Sequence, residues 1–396
     1  MLTMIHENSV FMSDGTLHVD RKFHLGMQRY AAHINDRICT VNPLAEASPS
    51  TIDVIAVKPS ERDYDILPLR IINHRVVASD SAQLRLQLQN STLIYGQALG
   101  GGEIARSLGK PYIALLEYDL DTRLTIVNAE TSGLPKRTYR QLLCLRDYYA
   151  RDMRFVRAAL AVHCNGYPIW KATKAWARER LLYLDSRMLA ADVISEAELD
   201  ARLSTFGKRP VKLMYSGRFE KMKGSVDVVA VATECLKRGY DVELDCFGQG
   251  SLAAEMQTLA DAAPNPGRIK INQSIPFPDL VARAKAADIF VCCHIQSDPS
   301  CTYIESFGCG LPIVGYDNRM WHGLREASQA GLGCHVGDVA AAADRVGQLI
   351  ADRTVLFEMS RKARHFAAQH SFEREFARRT GSLNDALAQL KQVEAA

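Results

Sequence analysis

The chain of 396 residues has no run of eighteen or more apolar residues, so no segment reads as a membrane-spanning helix. Its opening, Met-Leu-Thr-Met-Ile-His-Glu, lacks the basic region followed by an apolar one that marks a secretory leader. Neither Cys-x-x-Cys nor His-Glu-x-x-His spacing occurs, which removes the usual zinc signatures, and no metal or other cofactor is expected. The formal charge of +3 is too small to argue for a nucleic-acid partner. Ten cysteines, including adjacent Cys292 and Cys293 inside an apolar run, fit a reducing compartment better than a disulfide framework. A cytoplasmic protein is the expectation.

What is present is enough chain for two cores, since 396 residues exceed what one hydrophobic core usually supports. From about residue 211 short apolar runs alternate with helix-length segments: VKLMYS, DVELDCFG, IKI, ADIFVCC and LPIVGYD. That alternation predicts an α/β fold with a doubly wound parallel sheet. The first half repeats the rhythm less clearly, with candidate strands RICTVNP, TIDVIAV, STLIYG, PYIALLEY and RAALAVHCNG. Phe206-Gly207-Lys208-Arg209-Pro210 reads as a linker, giving domains at 1–206 and 207–370. The segment 371–396 is a charged amphipathic helix free to cross back to the first domain.

Residues 215–224, Tyr-Ser-Gly-Arg-Phe-Glu-Lys-Met-Lys-Gly, carry the strongest chemical signal. Gly217 and Gly224 allow backbone close to an anion, and Arg218 and Lys223 supply permanent positive charge: a cradle for a diphosphate. The second constellation is Ser297-Asp298-Pro299-Ser300-Cys301-Thr302-Tyr303-Ile304-Glu305. Asp298 is placed to cap a helix running from Pro299 to Cys309, leaving the amides of Ser300, Cys301 and Thr302 for an anion. On such a helix Asp298 and Glu305 share a face ~10 Å apart.

These residues resemble the large retaining glycosyltransferase family 4, of the GT-B fold. Its signature is Gly-Arg, four residues, Lys-Gly, then a helix with two Glu separated by seven residues and ending in Gly-x-Pro-(Ile/Val)-(Ile/Val). Gly217-Arg218, Lys223-Gly224, Glu305, Gly310, Pro312, Ile313 and Val314 match, and Phe247-Gly248-Gln249-Gly250 matches the glycine turn near the nucleotide. The resemblance covers the second domain. It implies two facing Rossmann-like domains around a cleft, and a sugar moved from a UDP- or GDP-sugar to a glycan or lipid-linked acceptor in cell-surface polysaccharide biosynthesis. It also implies that Arg218 and Lys223 bind the diphosphate and Glu305 the ribose, with Gly217, Gly248, Ser300, Cys301, Thr302 and Tyr303 lining the donor site. The departure is at the first acid, where Ser297 stands eight residues before Glu305. Either Asp298 supplies that carboxylate, or Pro299 reshapes the loop and backbone amides replace it.

In the first domain the family often has a His six residues after a Pro; here Pro111 leads to Glu117, a carboxylate candidate for the sugar or an acceptor hydroxyl. Gly101 and Gly102, His163 and Asn165 are further acceptor-side candidates, and a satisfied core histidine is the plainer reading of His163. The glycines at 100–102 do not complete Gly-x-Gly-x-x-Gly, so a nicotinamide site is not expected. Asp63-Tyr-Asp65 and Asp119-Leu-Asp121 look like the metal-binding pair of the other major glycosyltransferase fold, against which the tandem sheets argue. Between 134 and 180 eleven Lys and Arg residues meet only Asp147, Asp152 and Glu179. That stretch is expected to be a solvated face, or a surface for anionic lipid at the inner membrane or for a phosphate-bearing acceptor. The alternatives are an epimerase of the same fold and a degenerate nucleotide-binding assembly subunit.

Overall fold

The computed structural model describes residues 1–46, 54–72, 75–97 and 103–395. The second half is a six-stranded, all-parallel sheet with spatial order Ile269–Asn272, Val242–Phe247, Val211–Ser216, Ile289–Cys292, Ile313–Tyr316, Gly331–Cys334. Strand Ile289–Cys292 is buried along its whole length, as the continuous apolar run requires. Helix Ser225–Lys237 covers the sheet with Val228, Val229, Val231, Ala232, Cys235 and Leu236, a stripe of helical spacing. Strand order reverses between Val211–Ser216 and Ile289–Cys292, so the loops leaving their carboxyl ends diverge and open a crevice. Those loops carry Arg218 to Lys223 and His294 to Cys301.

The first half is built on the same plan. Leu2–Ile5 lies between Ile38–Ala45 and Leu93–Gly96, followed outward by Tyr112–Leu116, Ala161–Asn165 and Arg180–Tyr183, all parallel. Beyond Ile38–Ala45 the sheet is extended by Asp65–Leu69 and by Val10–Ser13, Thr16–Asp20 and Val54–Val57. Sequence reading missed the central strand Leu2–Ile5, because four residues at a chain end carry too little pattern. The hairpin Val10–Asp20 did have a signal: Asp14-Gly15, with φ of 48° and 74°, is the dipeptide that a two-residue primed turn demands. RAALAVHCNG is strand only from Ala161, since Arg157 and Ala158 end helix Met153–Ala158.

The division between the halves falls earlier than the linker at 206–210 suggests. Leu184, Met188, Ile194, Leu199, Leu203 and Phe206 are buried in the core of the second half. Apolar burial, and not the Gly-Pro punctuation, decides which body this segment joins. The last helix, Phe372–Ala395, packs Phe376, Leu383 and Leu387 into the core of the first half, among Leu2, Met4 and Tyr30. Across the cleft, Arg319 of the second half pairs with the buried carboxylate of Asp119 at 2.8 Å. A side chain at Gly166 would collide with Met320 Sδ at 2.8 Å, and one at Gly323 with Tyr167 at 2.6 Å.

Candidate functional site

The loop after strand Val211–Ser216 is fixed by backbone bonds to the loop after Val242–Phe247. Gly217 N–H donates to the Phe247 carbonyl at 3.1 Å and Phe219 N–H to the Gln249 carbonyl at 2.9 Å. The two chains run so close that a Cβ on Gly248 would lie 1.9 Å from the Gly217 oxygen. Only glycine fits there. Arg218 is exposed at the tip, and among the described residues its guanidinium has no ion pair. It lines a cavity of about 330 Å3 together with Gly217, Gly248, Phe277, Thr302 and Glu305. The chain then closes a short turn at Lys221–Lys223 and enters its helix through Gly224, whose φ of 56° and whose contact with the Cys293 carbonyl, 1.8 Å from a built Cβ, exclude other residues.

That turn buries Lys223 beside the end of strand Ile289–Cys292, where its Nζ meets Asp298 Oδ2 at 2.5 Å. The motif assigns the two residues separate roles, and the structure pairs them. Burial alone would lift the Asp298 carboxyl; the Lys223 ammonium outweighs it and holds the group below the usual carboxylate range. Because this carboxylate is spent on Lys223, it caps no helix. The helix spans Thr302–Gly308 and not 299–309, and Ser300 N–H turns back to the Asp298 carbonyl at 2.9 Å. Asp298 and Glu305 therefore do not share a helix face, and Ser300 offers no free amide. His294, next to this pair, has its Nδ1 3.9 Å from Asp298 Oδ1. Burial, then the charges of Lys223 and Arg218, push its imidazole down to about 3.

Glu305 faces the cavity, and both its oxygens are held by Arg187, at 2.8 and 3.1 Å. Arg187 also lies over the Phe277 ring, 4.3 Å from its centroid. It comes from the segment joining the two sheets, and no local motif marked it. Thr302 lines the same cavity, while Cys301 Sγ points to Asp185 at 3.9 Å. Tyr303 does not reach the donor site. It is fully buried, stacked on Trp321 at 5.9 Å, with its hydroxyl accepting from Asn318 at 3.3 Å, because an aromatic ring here completes the core beneath the loop.

On the facing wall, Glu117 sits at the carboxyl end of Tyr112–Leu116 with its carboxyl raised by burial, and further by Asp185, Glu7 and Asp298, against a hydrogen bond from Asn165. Asn165 also accepts from the Asp185 backbone amide at 3.2 Å, which links Glu117 and the Asp185 backbone in one acidic rim. His163 is no acceptor contact. Its Nδ1 lies 3.2 Å from Tyr95 Oη and its Nε2 3.0 Å from Ser382 Oγ of the last helix, and burial lowers it to about 3. Positions 163 and 165 share one face of their strand, but His163 lies within it beneath the last helix, whereas Asn165 stands at its carboxyl end beside Glu117. Gly101 and Gly102 lie outside the described residues. Asp119 caps helix Leu120–Glu130 and pairs with Arg319, and Asp65 pairs with Arg37 at 2.9 Å, so both Asp-x-Asp pairs have structural uses.

Helix Leu134–Asp147 buries no residue. Leu134, Tyr139 and Leu142 are exposed by 72%, 63% and 61%, interleaved with Lys136, Arg137, Arg140 and Arg146. Among the described residues no helix is long and apolar enough to cross a membrane.

Two sheets of Rossmann order around a shared crevice define the class of the fold. Sucrose-phosphate synthase from Thermosynechococcus elongatus superposes with a TM-score of 0.64 at 16% identity, covering 98% of this chain and 99% of that one. Anabaena HepE in complex with UDP-glucose gives 0.63 at 14%, covering 99% of each. The chain has the GT-B fold. Within it, residues 198–369 match the family Glycosyl transferases group 1. A GDP-mannose-dependent alpha-(1-6)-phosphatidylinositol monomannoside mannosyltransferase of Mycolicibacterium smegmatis is 25% identical over 191 residues, 46% of this chain and only half of the relative's length.

Proposed function

We propose that the chain is a retaining, metal-independent glycosyltransferase moving a hexosyl group from a UDP- or GDP-sugar to a glycan or lipid-linked acceptor, in cell-surface polysaccharide biosynthesis. The observation that carries this reading is a single cavity walled by Gly217, Arg218, Gly248, Thr302 and Glu305 at the strand-order reversal of the second sheet. Glu305 receives the ribose hydroxyls, and Arg218 and Lys223 the pyrophosphate. As the sugar leaves, negative charge grows on the phosphate oxygens and the two cations stabilise it; the departing phosphate takes the acceptor proton during front-face attack. Glu117, with its raised carboxyl, faces the sugar or acceptor hydroxyl from the other wall. The relatives' GDP-mannose and UDP-glucose keep both nucleotides in play.

The acceptor enters over the first domain. Helix Leu134–Asp147, with its exposed leucines, tyrosine and cations, rests on the anionic cytoplasmic face of a membrane. A thermal-shift screen of nucleotide sugars identifies the donor, since a ligand at 100 times its dissociation constant adds about 2.7 kcal/mol of stability. Assays with that donor then show transfer or hydrolysis above background. Binding without turnover would indicate a nucleotide-binding assembly subunit, and an isomerised sugar released without acceptor would indicate an epimerase.

A further inference from the structure

Beside the Lys223–Asp298 ion pair, buried polar atoms are left unused. Asp298 Oδ1 accepts no hydrogen bond, and neither ring nitrogen of His294 has a partner among the described residues, although the ring is 1% exposed. The 3.9 Å between Nδ1 and that oxygen is too long for a hydrogen bond and short enough to become one after a small shift. Leaving such groups unsatisfied is unfavourable. A second state that uses them explains why they persist.

Charge balance supplies that state. The pyrophosphate of a nucleotide sugar carries two negative charges; Arg218 is free to meet one, and Lys223 meets the other only by leaving Asp298. A buried carboxylate stripped of its ammonium must regain a positive partner or a proton. We propose that pyrophosphate binding transfers Lys223 from Asp298 to the ligand, and that the His294–Asp298 pair takes up one proton from solvent and closes into a hydrogen bond. The proposal rests on the reading of Lys223 as a pyrophosphate ligand. One proton leaves the buffer and one N–H or O–H bond forms within the pair; no other bond changes.

The surroundings of the pair favour this exchange. Lys223 and Arg218 are the two cations that repel a proton from His294, and the incoming anion neutralises both. Tyr303 packs against the ring, and Cys292 meets the His294 backbone and the Tyr303 hydroxyl; both the phenol and the thiol are raised by burial and hence uncharged. On the Asp298 side stand Gln296 and, across the cleft, Glu117 and Tyr118. Glu117 is the competing site for the proton.

Calorimetric titration of the full chain with UDP-glucose, and separately with GDP-mannose, decides the matter. Both ligands have phosphates that do not titrate near neutrality. In three buffers of different ionisation enthalpy at pH 7, the wild-type chain is expected to take up close to one proton per ligand, with affinity falling up to about tenfold per pH unit. Asp298→Asn abolishes the uptake, His294→Gln reduces it with the fold unchanged, and Glu117→Gln leaves it intact. Binding without proton uptake overturns the inference and spares the functional reading, as does uptake that survives both Asp298→Asn and His294→Gln or disappears only in Glu117→Gln. If neither nucleotide sugar binds, the pyrophosphate reading falls and the inference with it.

Discussion

The two halves share one strand order and differ in what stands at the carboxyl ends of the strands. In the second half these ends present cations and glycines, Arg218, Lys223, Gly217 and Gly248; in the first they present an acidic rim, Glu117 with Asp185 and Glu7. The fold supplies a crevice in either case, and the chemistry is set by a few residues at the loop tips. The proposed pyrophosphate suits the cationic wall. The facing wall offers hydrogen-bond acceptors, which suit hydroxyl groups.

Arg218→Ala breaks this contrast most severely: transfer or donor hydrolysis is expected to fall 10²–10³-fold, because a cation aimed at developing charge is lost, and steady-state assay with the identified donor measures it. Neutralising Lys136, Arg137 and Arg140 to Gln should weaken binding to anionic vesicles by about 10²-fold, at about 1 kcal/mol per cation removed, while transfer to a soluble acceptor is unchanged. Co-sedimentation with vesicles at low salt reads the first quantity, and equal loss on neutral vesicles would sink the membrane contact.

Smaller effects test the interiors. His6 and His163 are held neutral at pKa values of about 4 and about 3, below the unfolded value of 6.5. Each therefore contributes stability that is full above pH 6.5 and drains away as pH falls through the folded value, by up to about 1.4 kcal/mol per pH unit. Denaturant unfolding between pH 7 and 4 is expected to show this slope, and His163→Asn to flatten it. Glu117 has the opposite sign. Its raised carboxyl destabilises the fold once pH exceeds the folded value, so Glu117→Gln should melt higher than wild type at pH 8 and equally at pH 4; a lower Tm at pH 8 would remove Glu117 from the buried rim.

Legibility followed the same division. The second sheet was readable because its strands are buried on both faces and spell continuous apolar runs, and the glycine loop because backbone contacts such as that at Gly248 admit one residue type. The first sheet was not, since its central strand is four residues long and its edge is built from short antiparallel pieces. At the site, Arg218, Thr302 and Glu305 meet as the motif suggests, whereas Tyr303 and His163 turn out to serve the cores. Arg187 escaped notice because nothing near it in sequence announces a partner in Glu305.

Local periodicity and local sterics suffice for the alternation of strands and helices and for a glycine-lined cationic loop. Which groups neutralise one another was decided only in three dimensions. Lys223 meets Asp298 across 75 residues, Arg187 meets Glu305 across 118, and His163 meets Ser382 across 219. Electrostatic partners are chosen by distance in space and by the burial around them, and neither is encoded within reach of a short motif.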